Sequence, residues 1–88
     1  MTFNITIPFW IRVMALMYRE EKSYVRQISK KLDLTYSHAH KIIADLQKRR
    51  LLSLNKEGRK NIITITKNGS VMGKYCDFIE AFTEARYD

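Results

Sequence analysis

Apolar and polar positions alternate along this chain in two rhythms, and the changes of rhythm mark the elements. From Pro8 to about Glu20, Trp10, Val13, Met14 and Met17 recur at helical spacing, with Phe9 and Leu16 widening the stripe. Thr6 ahead of Pro8 is a helix-start signal, because proline's fixed φ suits a first turn. On this spacing Trp10 and the methionines belong to the core. Glu20-Glu21-Lys22 breaks the pattern. Ser23 then reads as the N-cap of a second helix over Tyr24 to Leu32, with Val25, Ile28 and Leu32 facing inward. Asp33-Leu34 is a turn, and Leu34 its apolar plug. Thr35 caps a third helix running to about Arg49, with Ala39, Ile42, Ile43 and Leu46 inward.

The rhythm shortens at Leu52 to Leu54, which alternate. Lys56 to Asn61 turn, with Gly58 available for positive φ, and Ile63 and Ile65 resume the alternation. That is a β-hairpin with a basic tip. Lys67-Asn68-Gly69 punctuates the chain, and Ser70 opens a last helix. In it Val71, Tyr75, Phe78 and Phe82 make one apolar stripe, and Met72, Cys76 and Ile79 a neighbouring one. The predicted fold class is α+β, mainly α with a small β-hairpin, in the order helix-helix-helix-strand-strand-helix.

Composition narrows this. At 88 residues the chain is one domain with a modest core and little room for a deep substrate pocket. Its 45% hydrophobic content argues for a folded chain. One cysteine, Cys76, permits no internal disulfide and fits a reducing cytoplasm. No apolar run approaches the ~20 residues of a membrane span, and no signal peptide is expected at the start.

Charge changes the picture more. Residues 22–60 carry eleven Lys or Arg against three acids (Asp33, Asp45, Glu57), whereas the rest carries five basic and six acidic residues. The net charge of +7 is therefore a local field over the second helix, third helix and hairpin. Such a field fits nucleic acid, an anionic membrane surface or an acidic protein, and composition alone does not choose.

Several pieces stand in a familiar order. Val25-Arg26-Gln27-Ile28-Ser29, then Leu34-Thr35-Tyr36-Ser37-His38-Ala39-His40-Lys41, then Leu46-Gln47-Lys48-Arg49-Arg50-Leu51-Leu52, then Glu57-Gly58-Arg59, then Ile65-Thr66-Lys67-Asn68-Gly69 together resemble the winged-helix DNA-binding domains. The likeness is to the multiple-antibiotic-resistance regulator (MarR) family and to small winged-helix regulators of archaea and their viruses. It covers roughly Pro8 to Gly69. It implies a single winged-helix domain over 1–88, with a helix-turn-helix at 23–50, a wing at 51–66 and a dimerisation helix at 70–86. Arg50 departs from the pattern, standing where such proteins commonly end the recognition helix with glycine. Arginine pays more than glycine to enter a left-handed cap, so a different helix end is expected.

The recognition helix can also be read without the likeness. With Ala39, Ile43 and Leu46 inward, Tyr36, Ser37, His40, Lys41 and Ala44 form one outward strip. A major groove admits one helix, whose outward side chains read base edges. The candidate base readers are Tyr36, Ser37, His38, His40 and Lys41, although Tyr36 could equally pack against the turn. Candidate phosphate contacts are Ser23, Arg26, Thr35, Lys48 and Arg49, and the wing offers Lys56, Arg59 and Lys60. His38 and His40 stand two apart on different sides of the helix, so no metal is expected, and no cofactor either. The acids are scattered, and no catalytic motif or Gly-rich phosphate loop is present, so an enzyme is not expected.

The aromatic stripe of the last helix, Tyr75, Phe78 and Phe82 with Ile79 beside it and Tyr87 beyond, has nothing left in so small a chain to pack against. It predicts a homodimer, with part of the first helix joining the interface. The alternative is that both stripes fold onto the monomer's own core. The expected partners are double-stranded DNA and a second copy of the chain, with no membrane and no small-molecule effector. The expected function is a sequence-specific, dimeric transcription repressor of the cytoplasm, associated with the nucleoid. The rival readings are a winged helix used as a protein-interaction module and a non-specific DNA-coating protein.

Overall fold

The computed structural model describes residues 7–83. Its elements run α1 (Phe9–Glu20), β1 (Lys22–Tyr24), α2 (Val25–Lys31), α3 (Tyr36–Lys48), β2 (Leu52–Glu57), β3 (Lys60–Ile65) and α4 (Lys67–Thr83). Thr6, Tyr87 and the stretch 84–86 of the predicted last helix lie outside the described residues. The order of helices and hairpin strands is the one read from spacing. The core gathers Met14, Met17, Val25, Ile28, Ile43, Leu46, Leu52 and Ile63 from every layer. Burying each such side chain stabilises the fold by about 1.5–3 kcal/mol.

One element differs from expectation. Residues 22–24 form a strand, making an antiparallel sheet of order β1-β3-β2 in which Ser23 pairs with Ile63. Ser23 is therefore no helix cap. It is 2% exposed, and its hydroxyl donates to Gln27 Oε1 at 3.1 Å. The helix behind it is capped by Tyr24 without a side-chain bond. The cause sits one residue upstream. Glu21 takes φ 66° at the end of α1, and its carbonyl accepts from the Ile65 amide at 3.1 Å. That bond starts the chain along the edge of β3.

Both helices of the helix-turn-helix end the same way. The Leu34 amide donates to Ser29 and the Asp33 amide to Lys30; the Leu51 amide donates to Leu46 and the Arg50 amide to Gln47. These are Schellman caps, with Asp33 at φ 55° and Arg50 at φ 61° in the left-handed position. Arginine thus takes the conformation usually given to glycine, and α3 ends where the resemblance places its end. The Thr66 hydroxyl locks that turn, donating to the Arg50 carbonyl at 2.7 Å.

The same hydroxyl accepts from the Gly69 amide at 2.9 Å. Thr66 is therefore the cap of α4, which begins at Lys67 rather than Ser70. Gly69 is not a breaker. A Cβ there would stand 1.8 Å from the Leu51 carbonyl oxygen, so only glycine lets α4 cross at this point. One turn on, a Cβ at Gly73 would stand 2.8 Å from Tyr18 Cβ. With Cys76 and Ala81, also buried, these small residues let α4 lie close along α1.

That packing decides which stripe of α4 is buried. Gly73, Cys76 and Glu80 face inward, while Met72 and Ile79 stay exposed with the aromatic stripe. Tyr75 and Phe82 are each 64% exposed, and the Phe78 and Phe82 rings lie 4.9 Å apart. The alternative in which both stripes cover the monomer's core is overturned. Glu80, 5% exposed, is held by Arg19, which donates to it at 3.1 Å and to Asp77 at 2.6 Å. Burial pulls the Arg19 pKa down, but the two carboxylates outweigh it and leave the guanidinium above its usual value. Burial first, and the charge of Glu80 second, push the Cys76 thiol up.

Candidate nucleic-acid interface

Thr35 accepts from the His38 amide at 3.1 Å and so caps α3 with its side chain. The cap fixes which residues begin the helix, and hence which face outward. Ala39, Ile43 and Leu46 are buried. Ser37, Lys41, Ala44 and Lys48 follow at i, i+4, i+7 and i+11 along the outer face. Tyr36, Ser37, His40 and Lys41 line one shallow depression there, and the Tyr36 and His40 rings stack at 6.1 Å. The strip combines a hydroxyl, an imidazole and an ammonium with the small Ala44. It therefore offers both hydrogen-bond donors and acceptors on a helix narrow enough for a major groove.

Three predicted site residues fall elsewhere. His38 lies edge-on against the Phe9 ring of α1, centroids 5.7 Å apart, so it faces α1 rather than the outer strip. Arg49 donates to Asp45 at 3.4 Å, and both line a crevice with Trp10, Leu46, Leu51 and Met72. Trp10 is 40% exposed over that crevice and is not part of the core. Ser23, buried in β1, is removed from the phosphate-facing set. The Thr35 hydroxyl accepts in the cap and so keeps its proton to donate. Lys48 sits at the far end of the outer strip.

The wing is joined to α3. Asn61 Nδ2 donates to Tyr36 Oη at 3.2 Å, linking β3 to the first residue of α3. Lys56 is the register partner of Asn61 and shares its face of the hairpin. Gly58, at φ 61°, makes the turn that carries Arg59. Lys60 Nζ lies 5.2 Å from the Tyr24 ring centroid. Asn61 and Tyr24 were absent from the sequence-derived site. The pairing of β1 with β3 brings Tyr24 to the wing, and a three-residue strand leaves too little alternation to announce it.

Among the described residues, Arg19, Lys31 and Arg49 have carboxylate partners, Lys31 through Glu20. Arg26, Lys41, Lys48, Lys56, Arg59 and Lys60 have none. These six lie on α2, α3 and the wing; Lys67 and Lys74 of α4 are likewise without an ion pair. No group of three or more His, Cys, Asp or Glu could hold a metal among the described residues, and no described helix is long and apolar enough to cross a membrane.

No protein-family model and no curated protein sequence matches the chain. Solved structures do. A transcriptional regulator homologue from Pyrococcus horikoshii OT3 is 23% identical with a TM-score of 0.74, covering 90% of this chain and 83% of that one. A mutant of Lactococcus lactis ZitR is 16% identical with a TM-score of 0.79, covering 99% of this chain and 62% of that one. A MarR family transcriptional regulator from Silicibacter pomeroyi DSS-3 is 17% identical with a TM-score of 0.74, covering 88% and 56%. The chain thus spans less than two thirds of the length of the last two. At these identities the likeness is one of fold, and the chain has the winged helix-turn-helix fold in the form these regulators share.

Proposed function

We propose that the chain is a sequence-specific, double-stranded DNA-binding transcription regulator that acts as a homodimer in the cytoplasm, at the nucleoid. The observation that carries this reading is the outer strip of α3, with Ser37, His40 and Lys41 presented beside a wing whose cations lack counter-ions. Unpaired cations on one side of a small domain attract a polyanion, and phosphates release counter-ions on binding them. The printed names of two of the similar structures, a transcriptional regulator homologue and a MarR family transcriptional regulator, support the same class.

In this proposal Tyr36, Ser37, His40 and Lys41 read base edges. Thr35, Arg26 and Lys48 contact phosphates, and Lys56, Arg59 and Lys60 follow the backbone or the minor groove. The exposed face of α4, Tyr75, Phe78, Ile79 and Phe82, joins its symmetry mate. Two readers then lie about 34 Å apart and match an inverted repeat. Bound at a promoter, the dimer represses by occlusion.

Duplex retardation at two salt concentrations, with sedimentation of the free protein, tests the proposal. Expected are retardation that weakens steeply with salt and a species of twice the 10.5 kDa monomer. A monomer that retards no duplex at low salt would end this reading and leave an acidic protein as the partner to seek.

A further inference from the structure

A cleft opens between α2, the start of α3 and the wing. Seven residues line it, Tyr24 and Val25 with Arg26, Tyr36, Arg59, Lys60 and Asn61. Three of these seven are cations, from α2 and the wing, and no acid is among them. None of the three cations has a carboxylate partner among the described residues. Glu57 stands opposite Lys60 in the hairpin register but does not line the cleft. Gathering like charges in a concavity is unfavourable until an anion enters, so the cleft is built for one.

The polar groups are already aimed. Tyr36 Oη accepts from Asn61, which leaves the phenol's own proton free to donate. The Asn61 amide keeps a second N–H. Lys60 rests near the Tyr24 ring, which restricts a side chain that otherwise loses much rotamer freedom on binding.

Position gives the kind of anion. With α3 in a major groove and the wing at the adjacent minor groove, the protein must straddle the sugar–phosphate ridge between them. The cleft lies between α3 and the wing, where that ridge must fall. We propose that it seats a single backbone phosphodiester of duplex DNA, gripped by Arg26 and Lys60 together, with Tyr36 and Arg59 at its rim. This rests on the DNA-binding reading above and sharpens it. Tyr36 becomes a positioning residue on the phosphate side, and the base-reading set narrows to Ser37, His40 and Lys41.

A double-mutant cycle on the full chain tests the seat. Arg26→Gln, Lys60→Gln and the double variant are titrated against two mixed-sequence duplexes of unrelated sequence, with thermal melts as the folding control. Each single variant is expected to lose about tenfold in affinity on both duplexes alike, since a phosphate carries no sequence. The double variant should lose far less than a hundredfold, because both cations hold one group. Arg26→Lys should restore most of the loss. Fully multiplicative losses, or no loss in either single variant while the wild type binds, would overturn the shared seat and leave the DNA-binding reading standing. A wild type that retards neither duplex would overturn both.

Discussion

The two faces of this small domain solve opposite problems. The face made by α3 and the wing is polar, and Lys41, Lys48, Lys56, Arg59 and Lys60 on it form no ion pair among the described residues. The outer face of α4 is apolar and aromatic, and Val71, Tyr75, Phe78 and Phe82 are all more than half exposed. Each is costly for an isolated monomer in water, one through charge repulsion and the other through exposed apolar surface. Between them, Arg19 with Glu80 and Asp77, and Lys31 with Glu20, are paired off. Charge is paired where α1 meets α4 and α2, while the cations of α3's outer strip and the wing form no ion pair. In the proposed function, the first face would meet a polyanion and the second a second copy of the chain.

The largest expected effect breaks both faces at once. Gly69→Ala forces a Cβ onto the Leu51 carbonyl, and chemical denaturation should show a loss of about 3 kcal/mol. Gly73→Ala meets the Tyr18 side chain instead and should cost about 1–2 kcal/mol.

Next come changes that separate the faces. Phe78→Glu with Phe82→Glu places charges on the aromatic stripe without touching the core. Sedimentation should then show a monomer whose melting temperature is lower than the wild type's at equal protomer concentration and no longer rises with concentration. Affinity for an inverted repeat should fall about a hundredfold, because the second half-site no longer binds as part of one ligand. Dimers that survive this double change would remove α4 from the interface.

Smaller effects sharpen the reader. Lys41→Ala should weaken binding about tenfold, measured by duplex titration. Ser37→Ala and His40→Ala should each relax preference at one base position by about 1–3 kcal/mol. His38→Ala should leave base preference unchanged, since its ring lies against Phe9. If His38→Ala relaxes preference as His40→Ala does, the orientation of α3 is wrong. The smallest effect concerns Arg50. Its left-handed conformation should make Arg50→Gly about 0.5–1 kcal/mol more stable in a thermal melt.

Much of α3 and its outward face was legible in the sequence. Thr35 announces its helix because a hydroxyl at that place satisfies an otherwise unpaired amide. The buried set of Ala39, Ile43 and Leu46 then decides the outward face. The hairpin was legible from Gly58 and the isoleucine alternation. β1 was not, because its inward residue is a serine, and Ser23 looks like a cap rather than a strand residue. The start of α4 was hidden for a related reason. Gly69 carries the same signal whether it breaks a helix or lets one approach a carbonyl. Trp10, placed in the core by its spacing, lies half out over a crevice, because periodicity reports a face and not what covers it. Tyr24 and Asn61 join the site only through tertiary pairing, which no local pattern records.

In the proposed function α3 reads sequence and α4 pairs two copies of it. Selection of bound fragments from a random duplex pool tests both together. The account predicts enrichment of an inverted repeat with half-site centres about one helical turn apart, 10–10.5 bp. A pool that emerges without a preferred sequence, or with a single unsymmetrical site, would contradict it.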